Sequence, residues 1–308
     1  MKRDFLALAD LSTEELHEIL ALAARLKREL KSGQRTPLVA GKTLAMIFEK
    51  PSLRTRVTFQ VGMTQLGGYA VYLPPSDIRL GERETVADIA RNLDRWVDFI
   101  MARTMRHESL TSLAKHAGIP VINGLSDLLH PCQVLSDCFT VRERRGTLRG
   151  QRIAFLGDGN NMANSWISAA ARFGFAFALA CPEGYEPDAA VLAQARADGA
   201  EIVITHDPTE ALAGADVAYT DVWASMGQED EAEVRKRVFA PFQLNSAALE
   251  HAKGDALVMH CLPAHRGEEV SAEVIDGPAS IVFDQAENRL HVQKAILVWL
   301  NDQVLRNA

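Results

Sequence analysis

The chain has 308 residues, 47% of them apolar and 24% charged, with a formal net charge of −7. That length suits one large domain or two of about 150 residues. The acidic balance argues against a nucleic-acid partner, and no apolar run approaches the roughly 18 residues of a membrane span.

Residues 12–15, Ser-Thr-Glu-Glu, open an amphipathic helix running to about residue 30. A buried strand is expected over 43–48, then a sharp turn capped by Ser52 and a helix ending at Gly67-Gly68. Residues 69–73 read as a strand and 74–84 as a polar loop. A helix over 85–95, a strand over 99–101, a helix over 109–118 and a strand over 120–122 follow. This alternation indicates a parallel α/β sheet. A longer helix over 130–145 bridges to a second run of alternation. Strands are expected there over 152–156, 176–180, 201–205, 216–219, 256–259 and 281–283, with helices over 163–173 and 188–198. A terminal helix over 288–305 is expected to pack back on the first half. The fold class is therefore α/β, two doubly wound parallel-sheet domains joined by interdomain helices. The first domain is expected over 1–135 with 288–308, the second over 150–285. Residues 1–10 lack the apolar core of a signal peptide. Cys132, Cys138, Cys181 and Cys261 form no disulfide framework, so a reducing cytoplasm is the expected location.

In such sheets ligands bind beyond the carboxyl ends of the strands, and the chemically rich clusters sit there. Ser52-Leu53-Arg54-Thr55-Arg56 starts a helix with two arginines where the helix dipole favours acids. Either these are solvated surface arginines, or a phosphate lies in front of them. Arg289 repeats the anomaly if Asn288 caps the terminal helix, which suggests one shared anion. Arg103 follows a strand end. His130-Pro131-Cys132-Gln133 is either an ordinary capped helix start or a set of donors aimed at a carbonyl oxygen. Gly157-Asp158-Gly159-Asn160-Asn161-Met162 imitates a dinucleotide fingerprint but lacks its third glycine. Its two asparagines suit a turn or a substrate carboxylate. Asp221 follows another strand and precedes a flexible loop, an arrangement suited to an ammonium group under a lid. A zinc site from His130, Cys132, His260 and Cys261 is disfavoured, because neither pair has finger-like spacing and vicinal strand residues point apart.

Together these segments resemble the ornithine carbamoyltransferase family over nearly the whole chain and in family order. The motifs are Ser52–Arg56, His130-Pro131-Cys132-Gln133, Asp221 with Ser225-Met226-Gly227, and His260-Cys261-Leu262-Pro263. The first is shared with aspartate carbamoyltransferases. The resemblance implies that Ser52, Leu53, Arg54 and Thr55 bind the phosphate of carbamoyl phosphate. Arg103, His130 and Gln133 would polarise the carbamoyl group, and Cys261, Leu262 and Arg289 would complete that pocket. Asn161, Asp221, Ser225 and Met226 would hold L-ornithine. The implied reaction gives L-citrulline and phosphate with no cofactor and no metal, in arginine biosynthesis, by a homotrimer or a multiple of trimers. Many members carry a glutamine in the 74–84 loop that reaches a neighbouring subunit's phosphate; the nearest alignment puts Arg79 there.

The residues fit that chemistry. A neutral δ-amine must attack the carbamoyl carbon, and donors from Arg103 and His130 suit the resulting oxyanion. An aspartate acceptor would need cations for its second carboxylate, whereas this cluster supplies Asp221 and amides. The alternatives are a carbamoyltransferase for another amine, such as putrescine or an acylated ornithine, and an NAD(P)-dependent dehydrogenase motivated by Gly157-Asp158-Gly159. Cys261 is either a buried, inert thiol or, near Asp221, the neighbour that orients the amine and receives its proton.

Overall fold

The computed structural model describes residues 2–224 and 229–307. Local chemistry sets the element starts. Ser12 Oγ accepts from Glu15 N at 3.2 Å, and the Glu15 carboxylate accepts from Ser12 N at 2.9 Å. This reciprocal capping box opens helix α1 (Thr13–Lys31). Thereafter strands and helices alternate: β1 (Thr43–Phe48), α2 (Leu53–Gln65), β2 (Tyr69–Leu73), α3 (Pro75–Ile78), α4 (Val86–Leu93), β3 (Phe99–Arg103), α5 (His107–His116) and β4 (Val121–Leu125). Helix α6 (Pro131–Arg145) leads to β5 (Arg152–Leu156), α7 (Asn161–Phe173), β6 (Ala176–Ala180), α8 (Ala189–Ala197), β7 (Ile202–Thr205), α9 (Pro208–Leu212) and β8 (Val217–Thr220). The described chain ends with α10 (Ala232–Phe239), α11 (Ser246–Leu249), β9 (Leu257–His260), α12 (Ala272–Ile275) and α13 (Val282–Asn307).

The chain divides into two compact units. Met1–Ser136 with Glu287–Ala308 form one, and Asp137–Ala286 the other. Helices α6 and α13 each run through a division point. The first unit holds a parallel sheet in the order β2-β1-β3-β4, the second a parallel sheet in the order β7-β6-β5-β8-β9. Each order reverses direction once, between β1 and β3 and between β5 and β8. Those reversals leave a crevice at the strand ends where crossover helices diverge.

The strand period of two sorts side chains cleanly in the second unit. Ala154, Leu156, Ala178, Ala180, Ala218 and Val258 face one core with Leu212, Leu244 and Val274. Their neighbours Phe155, Phe177 and Tyr219 face α7, where Trp166 packs edge-on to Tyr219 at 5.5 Å and stacked on Phe177 at 6.5 Å. In the first unit Ala45, Ile47, Ile100, Ala102 and Val121 meet Ile89, Leu93, Leu110 and Leu113 from α4 and α5.

Two expectations fail here. Residues 281–283 are not a strand: a parallel bridge pairs Ser280 with Val258, and Val282 then opens α13. The β-branched and aromatic pair Val282-Phe283 carries strand propensity, but a 26-residue helix overrides so short a signal. Arg289 consequently lies well inside α13, not at its start. Asn288 is no cap either; its Oδ1 accepts from Lys27 Nζ at 2.7 Å. Helices α9, α10, α11 and α12 have no counterpart in the sequence reading, being too short or too polar to show periodicity. The 74–84 loop contains the single turn α3.

Candidate active site

In the first unit the reversal point brings β1 and β3 side by side, with Phe48 opposite Arg103. Arg103 is thus the last residue of its strand, at a register shift after Ala102. Beyond β1, Ser52 caps α2 and its Oγ accepts from Thr55 N at 3.3 Å. No acid stands in the first turn of α2, so its N-terminal dipole and the Arg54 charge reinforce each other. Arg56 is different: its guanidinium lies 3.8 Å from the centroid of Tyr72, a cation–π partner that needs no anion.

Arg289 reaches this same turn from α13. Its Nη2 donates to Thr55 Oγ1 at 2.9 Å, with Thr55 fully buried and Arg289 2% exposed. The charge therefore arrives from 234 residues away, carried by helix packing and not by a helix start.

His130 immediately precedes α6, with its carbonyl accepting from Gln133 N and Val134 N at 3.2 Å. Burial and then the charges of Arg289, Arg103 and Arg54 hold its pKa well below the ordinary 6.5. At neutral pH His130 is an uncharged imidazole among three guanidinium groups. Gln133, three residues further on in the first turn of α6, is buried. Cys132 donates to Asn123 O at 3.2 Å, and burial pushes its thiol up to about 12, so it is an inert packing residue. Leu53 is 74% exposed. Arg79 is exposed at the left-handed end of α3, with φ 38°.

The second unit repeats the geometry around β5 and β8, where Leu156 pairs Thr220. The turns after both strands are tied together. Asn160 caps α7, its Oδ1 accepting from Met162 N and Ala163 N, while its Nδ2 donates to Asp221 Oδ2 at 3.3 Å. Asn161 occupies the first position of α7. Asp158 forms a buried ion pair with Arg235 at 2.8 Å, and Arg235 also donates to Trp223 O at 2.9 Å. Gly159 is required by the protein's own backbone: a Cβ there would lie 2.3 Å from the Glu186 carbonyl carbon. Its absence of side chain thus admits residues 186–187, a structural reason for the motif that needs no pyrophosphate.

Beyond β9, Cys261 Sγ donates to Asp221 Oδ1 at 2.9 Å. His260 is fully buried, with Leu262 N donating to its Nδ1 at 2.8 Å and Nε2 lying 3.0 Å from Glu269 Oε1. Because Nδ1 accepts, the proton sits on Nε2 and is donated to Glu269. Gln285 Oε1 accepts from His260 N at 3.0 Å, and its Nε2 donates to Asp137 and to Tyr219 Oη. Leu262 adopts φ 58° and precedes a cis peptide to Pro263. The chain leaves the strand at Cys261, so strand alternation no longer applies there. Donor atoms of Asp221, His260 and Cys261 lie within 4.8 Å of one another, against the expectation that 260 and 261 point apart. Both nitrogens of His260 are nonetheless engaged in hydrogen bonds.

The structure thus gathers Thr55 and Arg289, with Arg54 and Arg103 acting on His130, in one unit; Asp221 and Cys261 form the core of a second cluster in the other. Ser225 and Met226 lie outside the described residues. Sequence reasoning misses Asn160 as the partner of Asp221, since two adjacent asparagines give no signal of which one turns inward. It also misses the pairs Asp158–Arg235 and His260–Glu269, which only tertiary folding creates.

Comparisons with known proteins agree over nearly the whole chain. Residues 3–143 match the aspartate/ornithine carbamoyltransferase carbamoyl-P binding domain, and residues 149–300 the Asp/Orn binding domain of the same family. The ornithine carbamoyltransferase of Anoxybacillus flavithermus is 56% identical over 302 residues, covering 97% of this chain and 96% of the relative. The solved ornithine carbamoyltransferase of Pyrococcus furiosus superposes with a TM-score of 0.93 at 53% identity, covering 96% of each chain. The anabolic enzyme of Campylobacter jejuni gives 0.93 at 42% identity, covering 98% of this chain and 100% of that one. No helix among the described residues is long and apolar enough to cross a membrane. The chain belongs to the aspartate/ornithine carbamoyltransferase family, among its ornithine carbamoyltransferases.

Proposed function

We infer that the protein transfers the carbamoyl group of carbamoyl phosphate to the δ-amine of L-ornithine, giving L-citrulline and phosphate. The observation that carries this is Arg289 reaching Thr55 in the first turn of α2, beside the end of β3 where Arg103 stands, with the charges of Arg289, Arg103 and Arg54 all holding down the pKa of buried His130. Guanidinium groups gathered at a helix N-terminus favour an anion there, and a phosphate ester is such an anion.

The first unit binds the donor. The N–H groups at the start of α2, with Ser52, Leu53, Arg54, Thr55 and Arg289, hold the phosphate. Arg103, His130 and Gln133 surround the carbamoyl group. A neutral imidazole donates a hydrogen bond to the carbamoyl oxygen without competing for the phosphate, and that bond strengthens as the oxygen gains charge. The second unit holds ornithine through Asn161, Asp221, Ser225 and Met226.

Attack by the δ-amine forms the C–N bond and a tetrahedral oxyanion, which collapses as the C–O bond to phosphate breaks. The attacking nitrogen must lose a proton. Cys261 orients the amine, and because its thiol donates to Asp221, the proton has a carboxylate behind the sulfur to receive it. An unchanged turnover and pH profile in Cys261→Ala would withdraw that role. Leu262 completes the carbamoyl pocket from the same turn.

The working form is a homotrimer or a multiple of trimers. Its support is an exposed apolar stripe, Leu53, Val57 and Val61, repeating every fourth residue along α2, with Tyr69 exposed on β2 of the same unit. Arg79 meets the phosphate of a neighbouring subunit in that assembly. The enzyme is cytoplasmic and serves arginine biosynthesis, in keeping with the anabolic relatives. A colorimetric citrulline assay with ornithine, putrescine, aspartate and N-acetylornithine tests the substrate directly. Ornithine is the expected acceptor, and preference for any other overturns the assignment.

A further inference from the structure

The loop after β9 closes on itself in a way the transfer reaction does not use. Gly267, at φ 90°, turns the chain so that Glu268 N donates to His265 O at 2.9 Å. His265, Glu268 and Glu269 then face one another. His265 Nδ1 lies 4.0 Å from Glu268 Oε2 and 3.7 Å from Glu269 Oε2. Donor atoms of all three residues fall within 4.8 Å of one another.

The Glu269 carboxylate is unusual. The residue is fully buried, and its Oε1 accepts from both His260 Nε2 and His265 N. Its Oε2 has no hydrogen-bond partner among the described residues. A buried acceptor left in that state costs on the order of 1–3 kcal/mol, so the oxygen calls for a partner at the mouth where His265 stands. Glu268 is half-buried, and its Oε1 is 3.1 Å from Lys236 Nζ, which leaves Oε2 turned toward His265.

We propose that His265, Glu268 and Glu269 form a binding site for one divalent transition-metal ion, held by one imidazole nitrogen and two carboxylate oxygens. Ligands about 2.1 Å from a tetrahedral ion stand about 3.4 Å apart, so the two His265 spacings need to close by less than about 1 Å, and the spacing between the carboxylates by no more than about 1.4 Å. Nitrogen with two carboxylates suits zinc, cobalt or manganese better than calcium. The remaining positions are filled by water, since His265 is exposed. Because Glu269 also holds His260, the ion ties the Cys261 turn to the far end of its own loop.

Titration of the tag-free, full-length protein with Co2+, followed by visible and near-ultraviolet absorption, tests the site. One equivalent is expected to give weak visible bands without a thiolate-to-cobalt band. His265→Ala and Glu268→Gln should each weaken binding on the order of tenfold or more, while Cys261→Ser leaves affinity and spectrum unchanged. Zn2+ should raise the Tm of the parent protein and not that of His265→Ala. A thiolate band abolished by Cys261→Ser would place the ion at Cys261 and Asp221 and overturn the proposal. Equal binding by His265→Ala, or no binding at all, would overturn it as well.

Discussion

The two units place their chemistry at equivalent points of similar sheets, yet they treat charge in opposite ways. In the first, Arg54, Arg103 and Arg289 act together on one imidazole, and the helix dipole adds to the same sign. In the second, oppositely suited groups pair off around the strand ends: Asp221 with Cys261 and Asn160, Asp158 with Arg235, His260 with Glu269. A gathering of one sign of charge at a helix N-terminus is a device for holding a strong anion. A network of paired donors and acceptors is a device for orienting a substrate that is itself zwitterionic. The fold supplies the location in both cases, and the residues decide the ligand.

The contrast can be broken most forcefully at His130. On the proposed mechanism His130→Ala removes the donor to the developing oxyanion, and a fall in kcat of about 10² to 10³ is expected. The KM for ornithine should change far less. Asp221→Asn ranks next, since it removes the carboxylate at the centre of the second network. A loss of about 10² in kcat/KM for ornithine is expected, with carbamoyl phosphate affinity retained. Equal loss of affinity for both substrates would show that the units do not divide the task.

Tyr219→Phe sharpens the comparison at smaller scale. Its hydroxyl donates to Asp137 Oδ2 at 2.9 Å and accepts from Gln285 Nε2 at 3.1 Å, all in the core of the second unit. Deletion leaves two buried groups short of a partner, a cost of about 1–3 kcal/mol readable by urea unfolding. The first unit's anion binding should not move.

A further effect concerns pH. Burial, then the nearby Lys294 charge, lower His291 from 6.5 to about 4, and the residue is 1% exposed. As pH falls from 6.5 toward 4, the unfolded chain takes up this proton before the folded one does. Stability should therefore be full above about 6.5 and decline with falling pH across that window. His291→Gln should flatten this part of the profile, and an unaltered slope would contradict the assignment.

Much of the architecture and part of the site are legible in the sequence. Strand 43–48 and its capped helix, and the 152–156 strand with the asparagine-led helix, announce themselves through apolar runs bounded by turn residues. So do Arg54, His130 and Asp221, because strand ends are where doubly wound sheets bind ligands. Arg289 stands out in the sequence for a reason the fold does not share. Val282-Phe283 reads as strand, which moves the helix start to Asn288 and makes a mid-helix arginine look like a dipole conflict. Its real link, to Thr55, joins positions too far apart for local pattern to reveal. Arg56 misleads in the same way, since its partner Tyr72 lies on the next strand. The partner of Asp221 is invisible in sequence because Asn160 and Asn161 are chemically identical until the helix cap chooses between them.

Calorimetric titration of carbamoyl phosphate into the parent protein, Arg54→Gln and Arg289→Gln, without ornithine, bears most directly on the whole scheme. Spatially joined guanidinium groups on one phosphate ester require each substitution to weaken binding by roughly 10- to 100-fold. Binding that survives both changes intact would mean that the clustered positive charge serves some purpose other than gripping the donor.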